Sequence, residues 1–482
     1  VSDVGRVIPF FGAGTASKSF VVTRQHRLNC YFENRKDGDK TKIACYGTPG
    51  LVAAFQPTTP LSAALRAFFG TQNSLFLVAY NQFQSVNAAG AALFTGTVGS
   101  TAGNCSMAYN STQVVVVDGS QAYLYTPLAA TFAAIGGAFP NGAKTVTYVG
   151  GFFVAESPGT QQFFVSAAGD GSTWNALAFA SAAAYSDNIL AVDNNLGNLV
   201  TFSQQHLEQW QNQGLTPQPF VPITSAVYEI GLAAIFSRAH VDGSLIFLGQ
   251  TREGQVQVFQ LKGYQLNRIS DPDIENLINS YSVVSDAIAL VYEVDEHKFL
   301  QLTFPTAGRT HLWDASTGLW GRAQTGPSVL PARHQGNLSA YYAGKTYVSD
   351  YASNQVYTLD PNTYTDNGVT IAREIISRHV LSDFARIRIS QLYLDMETGV
   401  GLQTGQGSNP QVMLQYSKDN GRTWSAERWA PLGMIGQYLW RVIWRRFGSA
   451  RDATFRIRMT DPVKFVVTNA ALKVKPGRQR AA

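Results

Sequence analysis

Ser417, Asp419, Gly421, Thr423 and Trp424 follow the spacing Ser-x-Asp-x-Gly-x-Thr-Trp of an Asp-box turn. Its chemistry is hydrogen bonding: the carboxylate accepts the N–H groups of its own turn, glycine takes the left-handed bend, and tryptophan packs under the hairpin. Asp170-Gly171-Ser172-Thr173-Trp174 is a degraded copy, with Ala168 where serine is expected. Asp271, Asp273 and Glu275 begin like a calcium loop, but glycine is missing at the sixth place and Ser282 stands where the loop needs Glu. Asp271 before Pro272 instead fits the cap of a short helix over Pro272 to Ile278. The seven histidines, at 26, 206, 240, 297, 311, 334 and 379, never pair at ligand spacing, and Cys30, Cys45 and Cys105 do not cluster. Neither a metal site nor a cofactor is expected. Three cysteines make no complete disulfide framework, so buried free thiols are expected.

Catalytic signatures are missing as well. The sequence has no Gly-x-Ser-x-Gly elbow, no His-Glu-x-x-His pair and no Gly-x-x-x-x-Gly-Lys-Ser/Thr phosphate loop. The glycine run over 399–407 departs from the dinucleotide fingerprint and reads as a flexible loop. Asp-boxes occur in sialidases and lectins, and equally in non-catalytic β proteins; a turn box holds no reactive pair, so its weight is structural. Phe455-Arg456-Ile457-Arg458 is similar to the Phe-Arg-Ile-Pro signature of sialidases but lacks the proline and lies near the opposite terminus. No catalytic residue is assigned.

The remaining chemistry is cationic. Arg386 and Arg388 alternate with Ile387 and Ile389, and Arg456 and Arg458 alternate with Phe455, Ile457 and Met459. In the string 438–447, Trp440, Val442 and Trp444 share one face while Arg441 and Arg445, with Arg446 beside them, take the other. A strand turns successive side chains to opposite faces, so each ribbon buries its apolar side and presents guanidinium groups outward. Such a face is either solvated surface or a contact for phosphate or an acidic partner, since Arg pairs bidentately with both.

These residues need strands to position them. Among 482 residues, 45% are hydrophobic and only 14% charged, while glycine (43), Phe (28) and Tyr (21) are abundant. That balance favours β-sheets over charged helices. Hairpins recur at 114–125, 190–202, 245–261, 312–320 and 347–360, with Asp, Asn or Gly at each bend. A second helix is expected within 60–69, after Pro60.

Charge divides the chain. Residues 1–70 carry nine Lys/Arg against four Asp/Glu, residues 71–370 ten against twenty, and residues 371–482 eighteen against eight. The expected domains are an N-terminal arm at 1–70, an acidic body at 71–370 and a basic C-terminal antiparallel β-sandwich at 371–482. The fold class is all-β. The body is either a large sandwich or a β-propeller, and hairpins at blade-like intervals favour a propeller of six or seven blades. The tail 473–482 reads as a mobile or anchoring arm. No apolar stretch reaches the roughly 18 to 20 residues of a membrane span. The opening VSDVGRVIPFFG has no basic leader before an apolar block, so synthesis in a cytoplasm is expected.

Several strings together resemble the packaged-DNA stabilisation proteins of short-tailed bacteriophages: NCYFENRKDG and YGTPGLV within 29–52, 163–192, HLEQWQNQGLTPQPF at 206–220, 244–270, HLWDASTGLWGRA at 311–323 and VYTLDPNTYTDNG at 356–368. The resemblance implies a tail hub, or nozzle, in the virion tail, with a propeller on a platform built from the chain's ends. It further implies a sixfold ring of this chain beneath portal and adaptor rings. Such a ring retains packaged double-stranded DNA, passes it through the lumen without sequence-specific binding, and holds a tail fibre, spike or needle. The rival reading is a glycan-binding, lectin-like propeller, and behind it a glycan hydrolase with a carboxylate pair.

Overall fold

Runs of β-branched and aromatic residues, broken by residues that accept a left-handed bend, close into antiparallel hairpins. Val114–Val117 pairs with Ala122–Thr126 across Asp118-Gly119, where Gly119 has φ 81°. The Asp118 carboxylate accepts the Ser120 and Gln121 N–H groups and holds the bend. The computed structural model describes residues 4–7, 11–12, 14–36, 39–59, 62–381 and 385–476.

Such hairpins stack into seven blades among the described residues, at 65–97, 106–134, 146–181, 189–228, 231–268, 288–322 and 336–360. The inner strands of successive blades touch around the wheel, and Gly336–Tyr342 of the last lies against Leu65–Gly70 of the first. Aromatic rings fill the seams between blades: Phe83 lies 4.9 Å from Phe132 and 5.1 Å from Tyr125. The seventh blade is completed by Gly50–Phe55, which pairs antiparallel with Val356–Asp360. A strand from near one end of the wheel's sequence thus locks the other.

The remaining strands form a sandwich. One sheet runs Cys30–Asn34, Ile43–Gly47, Val466–Pro476, Ile387–Met396, Val442–Ala450. The other runs His26–Leu28, Arg373–Ile376, Asp452–Met459, Gln411–Ser417, Arg428–Pro431. Phe32, Leu392, Trp444, Phe447 and Phe455 pack between them. The second sheet does not stop there: His26–Leu28 pairs in parallel with Leu319–Arg322, the outer strand of the sixth blade. Wheel and sandwich share one ten-stranded sheet.

Asn29 staples this joint. It is 1% exposed, and its φ of 52° is one that Asn tolerates better than most residues. Its amide donates to the carbonyls of Gln324 and Ala372, at 2.9 and 2.8 Å. Its side-chain oxygen accepts the Gln324 N–H at 2.9 Å.

Propeller and sandwich match the expected architecture, and Pro272–Ile278 is the expected helix, capped by the Asp271 carboxylate. Other details differ. Residues 65–70 are a strand, not a helix, because Leu65–Gly70 pairs with Leu75–Ala79 and buries Leu65 and Phe68 against the last blade; Pro60 lies outside the described residues. The N-terminal segment is divided, with strands up to Gly47 joining the sandwich and those from Gly50 joining the wheel. In the tail, residues through Pro476 belong to the strand Val466–Pro476, and 477–482 lie outside the described residues. The three cysteines are free and buried, with burial pushing the Cys105 thiol up to about 12.

The shared sheet predicts that wheel and sandwich melt together, in one calorimetric transition. Asn29→Ala leaves three buried backbone groups without partners, at about 1–3 kcal/mol each. The variant is expected to lose at least ~3 kcal/mol of stability. Two well-separated transitions in the wild-type protein would refute the coupling.

Candidate functional site

The expected basic residues fall on two different sheets. Arg388 and Arg445 lie on the outer face of the first sheet, while Ile387, Ile389, Leu392 and Trp444 point into the core. Arg388 sits opposite Ser449 on one side and Lys475 on the other; Gln391 is flanked by Arg445 and Lys473. Like charges on neighbouring strands of one face are unfavourable in the isolated protein. Arg386 is exposed just ahead of Ile387–Met396, Arg441 just ahead of Val442–Ala450, and Arg446 is exposed at φ 68°. Among the described residues, none of Arg386, Arg388, Arg441, Arg445 and Arg446 has a carboxylate within ion-pair distance. These five are spread along the pair Ile387–Met396 and Val442–Ala450, with Arg386 and Arg441 at its opposite ends, as cations without an ion pair.

Arg456 and Arg458 belong to the second sheet and are already engaged. Arg458 meets Glu374 at 2.9 Å and Glu427 at 3.5 Å. Arg456 donates to Gln415 at 3.0 Å and lies 3.8 Å over the Trp424 ring. Burial alone raises the Glu374 carboxyl, but His26, 3.5 Å away, and the two guanidiniums outweigh it and hold it at about 2. These two arginines bind the sandwich together.

The Asp-box sits beside them. Asp419 accepts Ser417 Oγ at 2.6 Å and the Thr423 N–H at 2.9 Å, which holds its carboxyl at about 2. Gly421 has φ 79°, and a Cβ there would lie 2.4 Å from Arg24 Cγ. The box thereby seats the N-terminal segment against the sandwich. Trp424 is half-buried beneath Arg456, not sealed under its hairpin. In the degraded copy, Trp174 is buried against Phe139.

An apolar edge went unread in the sequence. Trp440 precedes the strand Val442–Ala450 and is exposed, so it does not share the buried face of Val442 and Trp444. With Trp429, Met434, Ile435, Tyr438 and Leu439, 96% exposed, it makes an apolar patch where both sheets end. Gly433 and Gly436, at φ 93° and 83°, turn these side chains out of any strand alternation. The available signal was an apolar string between glycines with neither a period of two nor a charge.

On the wheel, Tyr185 stacks on His206 with centroids 3.3 Å apart, beside Asp187, Glu229 and Arg252, in a cavity of about 520 Å³. Asp187 accepts from His206 at 3.2 Å and from the Gln205 N–H at 2.7 Å. Among the described residues, no three His, Cys, Asp or Glu side chains gather where they could hold a metal, and no helix is long and apolar enough to cross a membrane.

Comparison with known proteins matches residues 27–364 to the family model described as bacteriophage P22 Gp10, beta-propeller, and residues 372–475 to that described as bacteriophage P22 Gp10, beta-sandwich. No curated protein matches the chain. Among solved structures, the N-terminal domain of Nup159 is similar at a TM-score of 0.42 and 8% identity, covering 69% of this chain and 98% of that one. The Cps50 (Swd1) beta-propeller domain of Myceliophteria thermophila is similar at 0.42 and 9%, covering 63% and 98%.

Glu374 sets a pH signature. Its folded carboxyl titrates at about 2 against 4.5 when unconstrained, so its stabilisation is complete above 4.5 and is lost as pH falls through 2. Glu374→Gln is expected to cost about 3–5 kcal/mol at pH 7. The gap between variant and wild type should shrink by about 2 kcal/mol at pH 3, measured by denaturant unfolding at both pH values. A gap independent of pH would show that Glu374 is not held as a charged group.

Proposed function

The chain belongs to the bacteriophage P22 Gp10 family of stabilisation and tail hub proteins, structural components of the virion tail, and from that premise we propose how it assembles. Copies of the chain form a sixfold ring below the portal and adaptor, retain the packaged genome, give it an exit channel and anchor a tail fibre, spike or needle. The observation that carries this reading is the set of sandwich cations that pair with no carboxylate among the described residues and that adjoin an exposed apolar edge along Val442–Ala450. Apolar contact supplies the binding energy and the arginines steer acidic neighbours into register. The wheel segment, with ten Lys/Arg against twenty Asp/Glu, disfavours phosphate, which suits a conduit that duplex DNA passes without sticking.

A second reading, glycan recognition, is favoured by the cavity at Tyr185, where a partly exposed ring stands among polar side chains. A glycan array separates the two, since a hub without this role binds no sugar on it.

Two variants test assembly. Arg386→Glu, Arg388→Glu and Arg445→Glu together alter only exposed side chains, so the fold should persist while rings on portal–adaptor complexes disappear from negative-stain images. Leu439→Asp should change monomer stability by no more than about 0.5 kcal/mol and likewise block assembly. Normal rings from both variants would remove the sandwich from the interface.

A further inference from the structure

We propose that the cavity between the N-terminal segment, the helix Pro272–Ile278 and the outer strand of the sixth blade binds a small phosphate-bearing molecule. The cavity is about 420 Å³. Three permanent cations line it, Lys18, Arg24 and Arg322, against one carboxylate, Asp273. Among the described residues, none of the three cations is in an ion pair. Arg24 touches the face of Phe20, 4.3 Å from its centroid, and the Gly421 carbonyl at 3.5 Å, with Glu374 acting on it from beyond contact distance. Arg322 reaches only neutral partners, His26 Nε2 at 3.2 Å and Gln324 Oε1 at 3.3 Å.

Among the enclosed guanidiniums of this protein, Arg458 and Arg238 meet carboxylates, while Arg27 and Arg66 donate to backbone carbonyls. Arg24 and Arg322 converge on this cavity with no carboxylate in contact, Glu374 acting on both only from a distance, and a phosphate there would accept paired, charge-assisted hydrogen bonds from them. His311, also on the wall, is fully enclosed; its Nε2 meets the Tyr281 hydroxyl at 2.8 Å while its Nδ1 has no partner. Burial above all, with the Arg322 and Arg309 guanidiniums added, pushes the His311 ring down and keeps it neutral, which leaves the cationic work to the arginines. Inorganic phosphate alone would leave most of the volume empty. The Phe20 face and the polar ends of Asn276, Ser280 and Asp273 suit a hydroxylated body such as a pentose. A concave site between three elements selects a monoester over the backbone of a duplex.

The test is calorimetric titration of the full chain at constant ionic strength with ribose 5-phosphate, inorganic phosphate, ribose and a short DNA duplex. Ribose 5-phosphate should bind more tightly than inorganic phosphate, and ribose should not bind. Lys18→Gln, which changes an exposed side chain, and Arg24→Gln should each weaken the phosphoester about tenfold. Arg322→Gln should abolish binding; should it unfold the joint, the other two variants decide. The proposal is overturned by no heat with either phosphate probe, or by affinities that Lys18→Gln and Arg24→Gln leave unchanged. It is equally overturned by duplex binding that those substitutions remove, since the cavity would then serve nucleic acid.

Discussion

The structure depends on one shared sheet. The pairing of Leu28 with Arg322 carries hydrogen bonding from the sixth blade into the sandwich, and Asn29 seals the crossing by serving three backbone groups at once. A buried backbone N–H or carbonyl without a partner is costly, so the joint is either fully made or broken. Two domains joined only by a linker sample many orientations. Here the sandwich cannot swing without unzipping a strand, and its cationic face keeps a fixed bearing relative to the acidic wheel.

Arginine does two different jobs on the two faces of the sandwich. Arg456 and Arg458 are half-buried around Glu374, where the carboxylate repays their desolvation and removing it would strand them. Arg388 and Arg445 face solvent without a carboxylate in contact among the described residues, Arg388 directly opposite Lys475 and Arg445 separated from Lys473 by Gln391. A stability argument explains the first pair and not the second. The second makes sense in a protein whose working state is an assembly, where an acidic neighbour converts the repulsion into attraction.

Much of this was legible in the residues. Asp118-Gly119 and its equivalents specify hairpins through local turn chemistry, and Asp271-Pro272 specifies the helix start; both require only neighbours in sequence. Blade number, wheel closure and sandwich membership were not legible, because they rest on pairings between distant segments such as Gly50–Phe55 with Val356–Asp360. Leu65–Gly70 follows a proline that suggested a helix, yet pairing with Leu75–Ala79 and packing against the last blade impose extended geometry and override that local signal. Arginines alternating with isoleucines look the same at 386–389 and 455–459. Only Glu374, on another strand, distinguishes a structural arginine from a free one.

The apolar edge and the cationic face gain meaning from their adjacency. An exposed apolar patch alone is an aggregation hazard, because it accepts any apolar partner. Here Arg441 and Arg445 flank it, and both sheets end there without a further strand among the described residues. The charge repels copies of the same basic face and favours an acidic one, so the edge rejects the symmetric pairing that would waste it. For the proposed ring, an edge that disfavours its own mirror partner would leave head-to-tail contact, the geometry from which closed rings arise.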